Sequence, residues 1–367
     1  MDIREYRIKD LLEFTASDEY RRLMTVPVTP HRALSQAKNP RAGENDLALV
    51  VAYDKGEPVG YVGAVPDYMF AGNEEFKMAW GSTGWVHPDY KNTGIYVVLL
   101  FRAMEFYHNN FALAEVSESA EKVFIKSKKF IQLKNLVSKT IVCRSCMTQV
   151  LLNRNRKFKL LFPFFKAADF LFNALMYPVF SYRIKSSGIA KKISAVEIHE
   201  FDEESTAFIK KYQEKNLFQR GKEEFDWILQ YPWVTESSRK STEDKKYFFS
   251  SSSRLFRLNA FKLYENNNLI AIIILKQRDN HISVPYAFYN ESTAKNILQY
   301  LFYVLFKNKA DKITVFNDDL INELNKVKIV KLYVKTRERK SYITKKFDTL
   351  DFNEYSIQSG DGDVVFT

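Results

Sequence analysis

The sequence predicts an α/β (α+β) fold of two tandem domains, each a mixed, mostly antiparallel sheet flanked by helices. First, "LALVVAYDKGEPVGYVGAV" places two β-branched apolar runs around the turn 54–56, which is typical of a hairpin. Second, the strand-like run "MAWGSTGWVHP" leads through Gly94 into the apolar helix "IYVVLLFRAMEFY". Third, residues 193–350 repeat the order of elements in residues 1–150.

Within residues 1–150 the order is strand, helices, hairpin, strand, helix, strand, helix, strand. The helix after Gly94 is too apolar for a surface helix, so we expect it to lie buried against the sheet and to end at Asn109 and Asn110. "FALAEVS" then predicts a strand, "SESAEKVFIKSKKF" a short helix, and "TIVCRSCMTQVLL" the last strand.

The second half follows the same outline. "ISAVEIHEF" predicts a strand, and "DEESTAFIKKYQEKN" and "KEEFDWILQYPW" predict helices. A hairpin turns at Asn266 to Asn268, and "TAKNILQYLFYVLF" is the buried helix. "DKITVFN", "DDLINELNKV" and "KLYVKTRERKSYITKKF" continue as strand, short helix and terminal strands. We therefore predict domains at residues 1–150 and 193–367, joined by a basic and aromatic helical linker at residues 151–192.

Composition fits two globular domains with an anionic partner. The chain has 367 residues, of which 46% are hydrophobic and 27% charged. Its formal charge of +11 favours nucleotides, coenzymes, nucleic acid or a membrane surface. The N-terminal "MDIREYRIKDLLEF" lacks the apolar centre of a signal peptide, so we expect a cytoplasmic protein.

The stretch from Leu160 to Tyr182 is the most apolar of the chain. Pro163, Lys166, Asp169 and Pro178 interrupt it, so we do not expect it to cross a bilayer. The basic flanks "NRNRKFK" and "IAKKI" leave two alternatives: peripheral contact with an anionic membrane, or a linker helix packed between the domains. The sequence favours the linker.

Two cysteines, Cys143 and Cys146, lie in "TIVCRSCMTQV". A zinc site would need two more ligands, and neither a second cysteine pair nor a nearby histidine supplies them. On a strand, side chains three apart face opposite sides of the sheet, which also opposes a joint site. We expect ordinary strand cysteines and no bound metal.

The segment from Lys91 to Tyr96 has the features of an anion site. A turn that leads from a strand into a helix exposes backbone amides, and the helix dipole adds partial positive charge. Gly94 permits unusual backbone dihedrals and close approach of a phosphate, while Lys91 and Asn92 add a cation and a donor. This turn suits a pyrophosphate.

With these residues, the whole of residues 1–150 resembles the GNAT family of acetyl-CoA-dependent N-acetyltransferases. "VHPDYKNTGIY" reproduces Val86, Pro88, Tyr90 and Gly94 of the family pattern V-x-P-x-[YF]-[RQ]-x-x-G-x-[GA]. The resemblance implies acetyl-CoA as co-substrate, with its pyrophosphate on the turn amides and its pantetheine beside the preceding strand. The implied coenzyme-binding residues are Trp85, Val86, Lys91, Asn92, Thr93, Gly94, Ile95, Tyr96 and Ser119.

Two residues of the signature depart from the family pattern. Lys91 replaces Arg or Gln, which keeps the charge but loses the guanidinium fork. Tyr96 replaces the small second residue, so a bulky ring stands where close packing or phosphate approach is normal.

The usual proton donor to the departing thiolate is also absent. Phe124 and Ile125 lie near the place of the family's tyrosine, so solvent, Tyr107 or Ser119 would have to supply the proton. The simpler interpretation makes Phe124 and Phe130 core residues whether or not the domain is active.

No catalytic base can be assigned from the sequence. Glu74, Glu75, Tyr68 and Glu115 are near the predicted cleft in sequence, and each is better explained as a surface or strand-edge residue. In the second half, "SVPYAFYNESTAKNIL" has no glycine and no basic residue at the place of the phosphate turn. We expect only the first domain to bind coenzyme, and the second to shape the acceptor pocket or to form a homodimer.

Three functions remain open. The first is an N-acetyltransferase whose amine acceptor, an amino sugar or another small molecule, attacks the thioester directly. The second is a non-catalytic GNAT-like binding or interaction protein. The third is a tandem-GNAT enzyme that transfers amino acids from charged tRNA, although the absence of an RNA-binding motif argues against a nucleic-acid partner.

Overall fold

The computed structural model describes residues 1–367, apart from the side chains of Ser119, Asn153, Arg154 and Arg156. The strands are β1 (Asp2–Arg7), β2 (Leu47–Asp54), β3 (Glu57–Ala71), β4 (Glu74–Val86), β5 (Phe111–Leu113), β6 (Phe130–Val142), β7 (Ile193–Ile198), β8 (Thr235–Glu236), β9 (Ser252–Ser253), β10 (Phe256–Glu265), β11 (Asn268–Arg278), β12 (His281–Tyr289), β13 (Lys312–Val315) and β14 (Tyr333–Thr344).

In chain order, the helices are α1 (Asp10–Ala16), α2 (Asp18–Arg22), α3 (Pro30–Ala37), α4 (Ile95–Phe106), α5 (Glu118–Ser127), α6 (Met147–Arg154), α7 (Phe162–Ser186), α8 (Ile189–Lys192), α9 (Glu203–Tyr212), α10 (Lys222–Gln230), α11 (Thr242–Lys246), α12 (Ala294–Lys307) and α13 (Asp318–Glu323). The predicted fold class, a mixed and mostly antiparallel sheet flanked by helices, is confirmed.

The chain divides into two compact units whose boundaries differ from the predicted ones. Unit 1 comprises Met1–Leu136, Ile198–Asn259 and Arg339–Thr367, and unit 2 comprises Val137–Glu197 and Ala260–Glu338. The predicted domains at 1–150 and 193–367 were continuous, whereas both units are built from separate stretches. Residues 339–367 pack in unit 1 through the pairing of β5 with the C-terminal part of β14, in the register Tyr342↔Leu113. Residues 198–259 join it through contacts such as the Phe70 amide to Leu217 O at 2.8 Å and the Arg220–Asp67 ion pair at 2.8 Å.

In unit 1 the strands run in the order β1, β2, β3, β4, β5, β14, β6, with β14 and β6 contributing only their residues within that unit. The first four strands pair antiparallel, and β4 pairs with β5 in parallel. Helix α4 buries Leu99, Leu100 and Ala103 on one face of this sheet. On the other face, Leu11 of α1 and Ala33 of α3 join a second core. The predicted burial of α4 is confirmed.

In unit 2 the order is β14, β6, β13, β12, β11, β10, β7, again with partial strands where an element crosses the boundary. β10 and β11 flank the predicted hairpin turn at Asn266 to Asn268 and are neighbours in the sheet. The further predicted strand, β12, pairs antiparallel with β11, and β13 pairs with β12 in parallel. Helix α12 buries Ile297, Leu301 and Leu305 in the core of this unit.

Two local predictions near the cysteines were wrong. β6 ends at Val142, and Cys146 is the N-cap of α6, so the strand predicted for "TIVCRSCMTQVLL" covers only the first part of that segment. The alternation argument for the two cysteines therefore does not apply. Cys143 is buried, and burial raises the pKa of its thiol to about 12.

Helix α7 differs from a packed linker helix. Residues 157–192, which comprise α7 and its flanks, are long and apolar enough to span a membrane. None of the most apolar part of this stretch is buried. Phe180 and Ile184 are the buried residues of α7, and both join the core of unit 2. The helix therefore packs on unit 2 along one side and exposes its other side to solvent.

Candidate functional site

A bulge in β4 opens the sheet of unit 1 near the predicted site. Tyr61 of β3 pairs with Trp85, whereas Gly63 pairs with Ser82, so β4 carries one extra residue between these pairs. Thr83 lies in this extra stretch and has a positive φ of 47°. Bulges re-aim strand ends, and this one separates Ser82 from the straight course of the strand.

At this same end, β4 also separates from its other neighbouring strand, β5. Parallel pairing with β5 extends from Ala79↔Phe111 to Gly81↔Leu113, and no later pair joins these strands in the described structure. Residues 82–86 therefore have β3 on one side and an opening on the other. An extended ligand can lie in such an opening and bond to the strand edge.

The turn after β4 presents its amides to solvent. The amides of Lys91 and Thr93 bond to Pro88 O and Tyr90 O, both at 3.3 Å. In the described structure we find no hydrogen-bond partner for the amides of Asn92, Gly94, Ile95 and Tyr96. Free amides at a helix start, with the helix dipole behind them, form an anion site.

Gly94 gives this turn its shape. It is the N-cap of α4 and has left-handed dihedrals, with φ 82° and ψ −2°. A Cβ added there would meet no atom within 4 Å, so a phosphate could approach the backbone closely. Lys91 and Asn92 are exposed beside it, and Asn92 is also left-handed with φ 68°.

Tyr96 packs over Gly84 on one face of β4. Its ring lies so close to Gly84 that a Cβ on that glycine would be 2.4 Å from Tyr96 Cε2. The ring centroid is 6.4 Å from that of Phe124 in α5. Burial raises the pKa of Tyr96 to about 12, so the hydroxyl stays protonated at neutral pH. A ligand along residues 82–86 requires this ring to rotate away.

The other predicted coenzyme residues fall into three groups. Ile95 is buried against Gly60. Val86 packs with the α4 core, whereas the Trp85 side chain lies on the opposite face of β4, 5.2 Å from the Tyr61 ring. Trp85 can therefore serve a ligand in the opening only through its backbone. The predicted side chain of Ser119 lies outside the part that the structure describes.

The residues weighed as proton donor lie in structural positions. Tyr107 is buried, and its hydroxyl donates to Leu47 O at 2.6 Å. Phe124 and Phe130 are buried in the same core as α4, which confirms the interpretation as core residues, and Ile125 is exposed.

The residues weighed as base lie away from the bulge. Glu74 and Glu75 begin β4, so roughly 35–40 Å of strand separates them from Val86. Tyr68 pairs with Lys77, well before the bulge. Glu115 forms an ion pair with Arg339 at 3.1 Å.

A polar cluster on the opposite face of the bulge was missed by the sequence analysis. Arg32 donates to Ser82 Oγ at 2.8 Å and to the Tyr247 hydroxyl at 2.7 Å, and lies 3.9 Å from the Trp233 ring centroid. Ser82 in turn donates to the Asp363 carboxylate. Burial raises the pKa of Asp363, which makes it a stronger base than an exposed carboxylate.

Unit 1 also contains a buried network of ion pairs around Asp67. Asp67 accepts from Arg41, from Arg220 at 2.8 Å and from Trp80 Nε1 at 3.0 Å. Burial alone would raise the pKa of Asp67, but the two guanidinium groups outweigh it and hold the pKa below its usual range. Arg220 also pairs with Asp361, whose pKa burial raises to about 6.

Comparison with known proteins finds a family match for part of the chain. Residues 10–122 match the Acetyltransferase (GNAT) family. A search of curated proteins found no match. Among the residues that the structure describes, no group of three or more His, Cys, Asp and Glu is placed to hold a metal ion.

Several solved structures resemble the chain at low identity. A putative acetyltransferase from Pyrococcus horikoshii is 14% identical, with a TM-score of 0.48 over 100% of this chain and 95% of that one. A probable N-acyltransferase from Enterococcus faecalis V583 is 10% identical, with a TM-score of 0.49 over 93% and 72%. Eis1 from Mycobacterium abscessus is 12% identical, with a TM-score of 0.46 over 94% and 74%. The assignment of residues 10–122 therefore rests on the family match.

Proposed function

Because residues 10–122 belong to the acetyltransferase (GNAT) family, we propose that the protein transfers an acetyl group from acetyl-CoA to an amine. The observation that carries the proposal is the turn 92–96, where amides without partners surround a left-handed Gly94 at the start of α4. Such a turn is matched to a diphosphate, which acetyl-CoA supplies.

The coenzyme would bind in two parts. Its diphosphate would accept hydrogen bonds from the amides of Gly94 and Ile95, with Lys91 adding positive charge. Its pantetheine would follow residues 82–86, the stretch that has left β5. Tyr96 would rotate off Gly84 to admit it.

The acceptor would approach from the opposite face of the bulge. The amine nitrogen attacks the thioester carbonyl, a C–N bond forms, and backbone amides of the strand end stabilise the tetrahedral oxyanion. Asp363, held by Ser82, would take the proton that the amine loses. The C–S bond then breaks, and solvent protonates the thiolate of coenzyme A.

Arg32, Trp233 and Tyr247 surround this acceptor face, so a polar amine with an apolar surface, such as an amino sugar, is the class of acceptor that suits it. Amino acid transfer from charged tRNA has no supporting feature in the described residues.

Release of free thiol from acetyl-CoA, followed over a panel of amino sugars and small amines, tests the proposal. We expect turnover with at least one amine, and a fall in kcat of about 100-fold or more in Asp363→Asn with unchanged coenzyme binding. Asp351→Asn, an exposed carboxylate in the same C-terminal stretch, serves as the matched control. Equal kcat in Asp363→Asn and wild type would exclude Asp363 as the base.

A second candidate is a GNAT-like protein that binds a partner or coenzyme without turnover. The position of Tyr96 against Gly84 favours it, because the ring would obstruct the proposed path of the pantetheine. Coenzyme binding without thiol release over the whole panel would support this candidate, and turnover would exclude it.

A further inference from the structure

Helix α7 is held to unit 2 along one side. Near its C-terminal end, the Tyr177 and Phe180 rings stack on Phe306 of α12, with centroid distances of 5.3 and 5.5 Å. Near its middle, Asn173 accepts from the Ser145 amide at 2.7 Å and donates to the Ser145 carbonyl at 3.0 Å. Because protein contacts cover this side over several turns, the helix cannot be surrounded by lipid while unit 2 is folded.

The opposite side of α7 is an exposed apolar stripe. Phe164, Leu171, Leu175 and Tyr182 follow one another at intervals of seven, four and seven residues, which places them on one face of a helix. Their exposed fractions are 69%, 60%, 76% and 69%. Phe170 beside them is 72% exposed. Exposed apolar side chains in such a row are typical of an interaction surface.

The segment that contains the stripe is strongly basic, although Lys192 already pairs with Glu265 at 3.0 Å. Residues 157–192 contain one acidic side chain, Asp169, and its carboxylate already accepts from the Met147 and Thr148 amides, both at 2.9 Å. The basic side chains of the same segment are Lys157, Lys159, Lys166, Arg183, Lys185, Lys191 and Lys192. A second copy of the chain would bring the same positive charges against this face, so charge opposes self-association. An anionic surface is complementary to it.

We propose that α7 lies in the plane of an anionic lipid bilayer, with Phe164, Leu171, Leu175 and Tyr182 inserted among the acyl chains and the flanking lysines at the lipid phosphates. This revises the expectation of a linker helix and selects the peripheral membrane contact that the sequence left as the alternative. The proposal is independent of the proposed acetyl transfer, because every residue that carries it lies in unit 2.

Sedimentation of the full chain with vesicles tests this proposal. Vesicles of phosphatidylcholine with about one third phosphatidylserine should bind the protein, and pure phosphatidylcholine vesicles should bind it at least tenfold more weakly. Leu171→Ser with Leu175→Ser should weaken binding to the anionic vesicles by about tenfold or more. Lys185→Gln with Lys191→Gln should weaken it several-fold and reduce its salt dependence. Met24→Ser, at a residue 76% exposed in unit 1, should leave binding unchanged.

Each of the following results would overturn the proposal: no binding to anionic vesicles, equal binding to neutral ones, unchanged binding of the double leucine variant, or a vesicle-free dimer that this variant dissociates. Alkaline carbonate should release the bound protein. Resistance to carbonate would indicate a spanning helix instead and would also contradict the proposal.

Discussion

Under the proposed function, Tyr96 is the residue on which coenzyme access would depend. It stands against Gly84, where the family pattern has a small residue and where the pantetheine of acetyl-CoA would lie. In the structure it packs beside Phe124 and is largely shielded from water. Moving it costs free energy that any ligand in the opening must supply.

Replacing Tyr96 should therefore strengthen coenzyme binding. Tyr96→Ala removes the ring that has to move, and we expect the Kd for acetyl-CoA to fall by about three- to tenfold. Isothermal titration calorimetry measures it, with Tyr90→Phe, which changes a hydroxyl of the preceding turn, as the control. A weaker or unchanged affinity in Tyr96→Ala would show that the ring contacts the coenzyme or never blocks it.

Asp361 should make stability depend on pH. Its pKa is raised from an ordinary 3.8 to about 6, so it holds a proton in the folded protein at pH values where the unfolded chain has lost it. The stabilisation it contributes is complete below pH 4 and is lost as the pH rises through 6. Asp361→Asn cannot ionise and does not undergo this loss.

We therefore compare the free energy of unfolding of Asp361→Asn with that of wild type. The difference, variant minus wild type, should rise between pH 4 and pH 7, and the full pKa shift from 3.8 to about 6 corresponds to about 3 kcal/mol. Urea unfolding at several pH values measures it. A difference that stays constant with pH would contradict the raised pKa.

The sequence predicted the phosphate turn but not the residues around Ser82. The turn 91–96 is local, so a short motif predicts it. Arg32, Tyr247 and Asp363 are brought to Ser82 from separate stretches of chain, and no spacing rule connects positions so far apart.

At the scale of elements, the predictions were best where a strand or helix is defined by its own pattern. The hairpin of β2 and β3 lies where its apolar runs predicted it, and helix α4 begins after Gly94 as predicted. Helix α4 ends at Phe106, earlier than the predicted end at Asn109 and Asn110. The sequence analysis missed the end of β6 because the start of α6 is stabilised by a side chain of another helix, α7. Asp169 of α7 accepts from the first amides of α6, and sequence alone does not show which distant carboxylate will do so.

That contact gives a prediction for α6. Asp169→Ala removes the acceptor for the Met147 and Thr148 amides, and Cys146, the N-cap, makes no capping bond with its side chain. We expect a local loss of about 1–2 kcal/mol, seen as faster hydrogen exchange of the α6 amides by roughly five- to thirtyfold. The amides of α12 provide the internal control and should not change. Equal acceleration in both helices would indicate general destabilisation instead.

At the scale of the molecule, both compact units are discontinuous in sequence. Unit 1 needs residues 198–259 and 339–367 in addition to 1–136. Residues 1–150 were the predicted first domain because they contain a complete series of elements. The sequence could not show that β5 would find its neighbour in the last strand, since β-pairing partners can lie at any separation along the chain.

A fragment of residues 1–150 should consequently fail to fold. It lacks the β14 residues that pair with β5 and the Arg220 and Asp361 side chains that neutralise and complete the network around Asp67. We expect no cooperative thermal transition and little near-ultraviolet circular dichroism. The full chain purified in the same way is the control. A fragment with native-like spectra would contradict the conclusion that unit 1 needs residues 198–259 and 339–367 to fold.

Binding of coenzyme A compared with pantetheine tests the central claim, that the free amides of the turn after β4 hold a diphosphate. Thermal unfolding should shift upward by about 2–4 °C with coenzyme A in large excess over its Kd, and should not shift with pantetheine, which lacks the diphosphate. Gly94→Ala, which adds a Cβ at a left-handed position, should reduce the coenzyme A shift. An equal shift with both compounds, or no shift with coenzyme A, would contradict the account.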